Sequence, residues 1–137
     1  MTAVDEPSRQ PSDVDAWLEA FAACVRARDH AGARDLFAPD AAGFGTVADR
    51  YDGLDELQLT QWSEVWERTT GFAFDGGDAR WSTPDLCVVA ATWRSRRADG
   101  PGSGERTGRA TLVLRTDPDG SLRAVHSHFS MTPGTRA

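Results

Sequence analysis

The 137-residue sequence contains no lysine; all 15 of its basic residues are arginine. With no ε-amino group, a Schiff-base mechanism is excluded. Cysteine is scarce. Cys24 lies in a helical pattern and Cys87 in a strand pattern, and there is no third. Two cysteines cannot form a cysteine-rich zinc site, and neither stands at a metal-ligand spacing. They read as buried free thiols. Positive charge is not in excess either. The net charge of −6 has the wrong sign for a general nucleic-acid binder, which needs a basic patch. No stretch approaches the roughly 20 apolar residues of a membrane span. The first 11 residues lack the apolar core of a secretory signal. These absences set the expectation of a soluble, cytoplasmic protein that works without cofactor, metal, membrane or nucleic acid.

Aromatic residues are what the sequence does hold. Five Trp and six Phe suffice to build a core or to wall a pocket. The length fits one domain. Residues 1–11, rich in Pro, Ser and charge, are expected to form a disordered tail, and residues 12–133 a single domain.

Ser12 opens a helix, with Asp15 three residues on and Asp13 complementing the N-terminal dipole. Val14, Trp17, Leu18, Phe21 and Val25 follow helical spacing. A second short helix starts at Asp29 or His30 and runs through Phe37, ended by Pro39 and Asp40. Residues 41–46 read as a short strand. Residues 54–69 form a third helix, with Leu54, Leu57, Trp62, Val65 and Trp66 as its apolar stripe and Gly71 as its stop. Such a stripe is a core feature rather than a cofactor box.

From Phe72 onward the period changes to two. Gly76 and Gly77 make a turn, residues 79–82 resume the strand, and residues 86–96 form a long central strand. Residues 98–105 make a flexible hairpin loop. The chain ends in two strand patterns, 108–116 and 121–131, joined by Asp117-Pro118-Asp119-Gly120. There Pro presets φ and Gly tolerates φ > 0. Helices first and an antiparallel meander second is an α+β order.

Three pieces of this chain resemble the SnoaL-like branch of the nuclear transport factor 2-like superfamily. They are Leu36-Phe37-Ala38-Pro39-Asp40-Ala41; Phe44-Gly45-Thr46 followed by Asp52-Gly53 and a long helix; and Gly108-Arg109-Ala110-Thr111-Leu112 with Ala124-Val125-His126-Ser127-His128-Phe129-Ser130. The ending is also similar to the association domain of calcium/calmodulin-dependent kinases. Leu122 stands where the family often has Trp. The resemblance implies a cone-shaped fold with three N-terminal helices packed on a curved antiparallel sheet, a pocket at the open end, and often a homodimer formed through the outer sheet face. It does not fix a function, because this fold hosts isomerases, cyclases, epoxide hydrolases and non-catalytic binders.

Residue by residue, the candidate chemistry divides as follows. His126 and His128 share one strand face. A metal would need a third ligand, and His30 is far upstream in a helix, so no metal site is expected. Hydrophobic alternation turns Val125, Ser127 and Phe129 toward the helices. His126, His128, Arg109 and Thr111 then fall on the outer face, at the expected homodimer contact. With the parity reversed, His128 would enter the pocket as an acid–base group. The expected pocket lining is Phe44, Tyr51, Trp62, Trp66, Thr92, Leu112, Ser127 and Phe129, with Trp17 and Phe21 nearby. Ala90 and Ala110 are expected to leave space beside them. This lining suits a small hydrophobic molecule. Ketosteroid isomerases of this fold use a strand Asp and a Tyr–Asp pair. Asp40 and Tyr51, flanking the first strand, and Asp75 on the second are the candidates here, although none matches that motif. The strands from Leu86 onward carry no inward Asp or Glu for a carboxylate water clamp. Two readings follow. One is a cofactor-independent isomerase, cyclase or hydrolase; the other is a non-catalytic binding or dimeric assembly module.

Overall fold

The computed structural model describes residues 11–76, 78–98 and 104–134. Of the sequence expectations, the tail before Pro11, Gly77 and most of the 98–105 loop lie outside the described residues. Pro11 is not part of a loose tail: it is buried, and its carbonyl accepts the Leu122 N–H at 2.8 Å.

Helix α1 spans Val14–Ala27. Its N-cap is Asp13 rather than Ser12, because the Asp13 carboxylate accepts the Ala16 N–H at 2.8 Å. One face, carrying Trp17, Leu18, Phe21, Ala22 and Val25, is buried. Arg28 ends the helix in a left-handed conformation (φ 56°). That conformation is costly for a residue with a Cβ. Its guanidinium offsets the cost by donating to the carbonyls of Trp66, Glu67 and Thr69 at 3.0–3.4 Å, which ties α1 to the end of the third helical segment.

Helix α2 is only His30–Arg34, capped by Asp29. It stops short of Phe37, and Pro39 and Asp40 do not end it. They lie inside strand β1, Phe37–Phe44. Between Phe37 and Ala42 the pairing of β1 is irregular. A strand tolerates a residue without an N–H at such a point.

Strand β2 (Tyr51–Asp52) leads into α3 (Leu54–Leu57). The chain then widens to a π-helical stretch at Gln58–Trp62, returns to α4 at Ser63–Val65, and tightens to a 3-10 turn at Trp66–Arg68. The expected single helix is thus three geometries in succession. Gly71 does not stop it. With φ +66°, Gly71 lies at the irregularity between Thr70 and Ala73 in strand β3, Thr69–Phe74, where a left-handed residue fits a bulge.

Strands β4 (Ala79–Ser82), β5 (Leu86–Arg97), β6 (Glu105–Thr116) and β7 (Leu122–Met131) complete the sheet. The order is β2-β1-β7-β6-β5-β3, with β4 also paired to β5. Every pair is antiparallel except β1–β7, which is parallel. A few helices on a curved open sheet of seven strands make this the α+β cone. β5 alternates strictly: Cys87, Val89, Ala91, Trp93 and Ser95 are buried and their neighbours are not. Cys24 and Cys87 are free thiols; Cys87 is buried and Cys24 half-buried. Gly108 leaves room for the Trp93 indole, since a Cβ there would lie 2.3 Å from its ring.

Phe21 stands at the centre of the core. Its ring lies 5.4–6.4 Å from those of Trp17, Phe37, Trp62, Trp66, Phe72, Phe74 and Phe129. Trp17 locks the corner beside it. Its Nε1–H donates to the Leu36 carbonyl at 3.0 Å, and the same carbonyl accepts the Ala124 N–H at 2.9 Å. Phe21→Ala should therefore cost about 3–5 kcal/mol in a denaturant titration. A loss below about 1 kcal/mol would show that these rings do not pack as a unit.

Candidate functional site

The cone is nearly full. The aromatic side chains leave a cavity of about 60 Å³, room for a few waters at about 15 Å³ each. Trp62 and Trp66 stack on one side, 4.7 Å apart at 20°. Phe21, Phe72, Trp93 and Phe129 close the other sides. The mouth lies between the loop after β1, residues 45–48, and the π-helical stretch. The wider turn of that stretch buries both Gln61 and Trp62.

Gln61 holds the mouth. Its Oε1 accepts the N–H groups of Val47 and Ala48 at 2.9 and 2.8 Å, and its Nε2 donates to Thr46 Oγ1 at 2.7 Å. Three polar groups of the loop are thereby satisfied by one buried amide. At the far end, Arg106 borders the cavity with Ser95 and Thr69. Arg106 Nη2 donates to Thr69 Oγ1 at 2.9 Å, and Thr69 Oγ1 donates to the Val65 carbonyl at 2.8 Å.

The expected site residues separate into three groups. Phe21, Trp62, Trp66, Ser127 and Phe129 border the cavity. Trp17, Tyr51 and Leu112 are fully buried but do not border it. Tyr51 instead supports a residue that does: its hydroxyl lies 2.6 Å from Ser127 Oγ.

The third group lies outside. Thr92 is exposed on the other face of β5, where it donates to Asp75 Oδ2 at 3.3 Å. The strict alternation of β5 puts position 92 opposite in parity to Ala91 and Trp93, so Thr92 is no wall residue. Ala90 is turned away for the same reason, while Ala110 is buried. Asp40 is exposed and distant in kind from the apolar lining, so it does not pair with Tyr51. Asp75 forms an ion pair with Arg94. Phe44 touches the mouth, but its ring packs edge-on against His128 (5.1 Å) and His126 (6.0 Å) on the outer face. His128 is exposed there and does not border the cavity.

Ser95, Arg106, Thr69 and Gln61 were missed by the sequence reading. Ser95 and Arg106 were within reach. They share the parity of Trp93 and Ala110, and extending the alternation to the strand ends would have found them. Gln61 was not, because a π turn breaks the 3.6-residue period. Among the described residues no three His, Cys, Asp or Glu side chains assemble as metal ligands. Nor, among the described residues, is any helix long and apolar enough to cross a membrane.

A sequence profile described as the SnoaL-like domain matches residues 14–133. The chain belongs to the SnoaL-like domain family. Solved structures agree on the fold. A nuclear transport factor 2-like superfamily protein from Salmonella enterica aligns with a TM-score of 0.74 at 18% identity, covering 87% of this chain and 88% of that one. A ketosteroid isomerase-like protein from Erwinia carotovora aligns at 0.74 and 15%, covering 92% and 99%. A protein of unknown function from Pseudomonas putida aligns at 0.69 and 24%, covering 85% and 82%. No curated protein matches the sequence. At these identities the likeness is one of fold.

Two predictions follow from the polar groups of this SnoaL-like domain. Gln61→Leu should lower stability by about 1–3 kcal/mol and speed amide exchange at Val47 and Ala48; unchanged exchange would refute the clamp. Burial pushes the Tyr51 phenol above its ordinary value, against the smaller opposing effect of its hydrogen bonding with Ser127. The folded state then holds this proton longer than the unfolded state does. Its contribution is complete below the unfolded value of about pH 10 and is lost as pH rises through the folded value. Tyr51 is the single tyrosine, so phenolate absorbance reports on it alone. That absorbance should lag a free tyrosine, and Tyr51→Phe should flatten the alkaline fall in stability.

Proposed function

We propose that this SnoaL-like domain is a binding module for a small hydrophobic molecule held in the aromatic cavity. The observation that carries this reading is the lining itself. Among the described residues that border the cavity there is no carboxylate and no histidine. A proton shuttle needs a titratable group within hydrogen-bond reach of the substrate. Of the three candidates for that role, Asp40 and His128 are exposed, and Tyr51 is buried without bordering the cavity. Isomerase, cyclase or hydrolase chemistry by those residues is therefore the weaker reading. Stacked indoles and phenyl rings favour a compact apolar body. The small volume favours a molecule well below steroid size.

The hydrocarbon methylenecyclopentane tests this. In a titration of the isotope-labelled protein it should move the indole N–H resonances of Trp62, Trp66 and Trp93 saturably. Shifts confined to exposed residues such as Trp81, or no shifts, would overturn the reading.

A second copy of the chain is the partner proposed for the outer face. Phe44, His126, His128, Arg109 and Thr111 lie together there, and Phe44 is 42% exposed. Thr111 lies between Ala90 and His128 in the ladder, so Thr111→Arg places a charge at mid-face. In sedimentation experiments the wild type should be a dimer and this variant a monomer, with methylenecyclopentane binding unchanged. A monomeric wild type would remove the proposal.

A further inference from the structure

We infer, resting on the binding reading above, that Ser127 donates a hydrogen bond into the cavity and that the ligand is a compact, uncharged molecule bearing a carbonyl oxygen. The inference comes from proton accounting in the Tyr51–Ser127 pair. The two hydroxyls are 2.6 Å apart, and either could donate. Tyr51 is 0% exposed and makes no second side-chain hydrogen bond among the described residues. If Ser127 donated, the phenolic proton would be buried with no acceptor, which costs the desolvation of that group. Tyr51 therefore donates to Ser127 Oγ. The Ser127 proton is left over, and Ser127, 2% exposed, borders the cavity. Nothing else among the described residues takes that proton. The cavity side of Ser127 thus presents a neutral donor on a mostly aromatic wall.

Such a donor selects an acceptor. It selects a neutral one, because a carboxylate beside two uncharged hydroxyls and phenyl rings would be desolvated without a counter-charge. The cation that borders the cavity, Arg106, lies six residues along β6 from the position opposite Ser127. Ser127 stands opposite Leu112 on β6, and Arg106 is about 20 Å further along the same strand at the usual rise per residue. The pairing also gives the donor a fixed aim. A hydroxyl held from behind by a buried phenol loses less freedom when it meets its acceptor than an exposed serine would.

Three probes matched in size separate the possibilities: cyclopentanone, methylenecyclopentane, in which the carbonyl oxygen is replaced by a CH2 group, and cyclopropanecarboxylate. Each is titrated into the full chain while the Trp62, Trp66 and Trp93 indole resonances are followed. Wild type should bind cyclopentanone about tenfold more tightly than methylenecyclopentane. Ser127→Ala should erase that preference while leaving methylenecyclopentane binding in place. Ser127→Cys, of nearly the same shape but a weak donor, should do the same and guards against a folding defect in the alanine variant. Tyr51→Phe should narrow the preference by releasing the serine proton from its aim. Equal binding of the first two probes to wild type overturns the inference and leaves the binding reading intact. A preference that survives both Ser127 variants also overturns it. Tightest binding of cyclopropanecarboxylate makes Arg106 the anchor instead and overturns it too. No binding of any probe overturns the binding reading, and the inference with it.

Discussion

One extra residue in the last strand decides what the cone contains. Leu114 pairs with Ala124, but Val113 pairs with His126, so Val125 has no partner on β6. Before this bulge the inward residues of β7 are Leu122 and Ala124; after it they are Ser127, Phe129 and Met131. Side chains alternate across a strand, and a one-residue slip exchanges the two faces. Counted without a bulge from Leu122 and Ala124, the inward pair would be His126 and His128. The bulge sends both imidazoles outward and turns a serine and a phenylalanine inward. A potential acid–base chamber becomes an aromatic one, with the Ser127 hydroxyl where an imidazole would have stood.

The rest of the site follows from that choice. With Phe129 inside, the rings of α1, the third helical segment and the sheet close around Phe21 until only about 60 Å³ is left. Three polar side chains near that space are secured by neighbours. Gln61 holds the loop at the mouth, Thr69 accepts from Arg106, and Tyr51 backs Ser127. Buried polar atoms need such partners, because their desolvation is not repaid otherwise. The Tyr51–Ser127 hydrogen bond also fixes the position of a hydroxyl that borders the cavity.

The outer face carries the opposite chemistry. Phe44, His126 and His128 form a half-exposed aromatic cluster, with Arg109 and Thr111 beside them. These residues are close to the cavity in sequence and separated from it by the thickness of the sheet. Proximity in the chain, as between His128 and Phe129, is no guide to membership of one site. Thr92 and Trp93 make the same point on β5.

Much of the architecture was legible in the residues. The 3.6-residue spacing of Trp17, Leu18, Phe21 and Val25 set the first helix, and the alternation on the last two strands set the sheet, because both periods record burial directly. The order of these elements indicated the α+β class, the family resemblance implied the cone, and the aromatic content anticipated its core. Two things were settled only by packing. Pro39 and Asp40 entered a strand, because an irregular pairing there needs no donor. The third helix widened to a π turn, which aimed Gln61 inward where no helical period would. Local composition cannot show which wall a residue faces once a bulge or a widened turn resets the count. Tertiary contacts alone select among such irregularities, since each is worth little by itself and is retained only where the buried surface on both sides demands it.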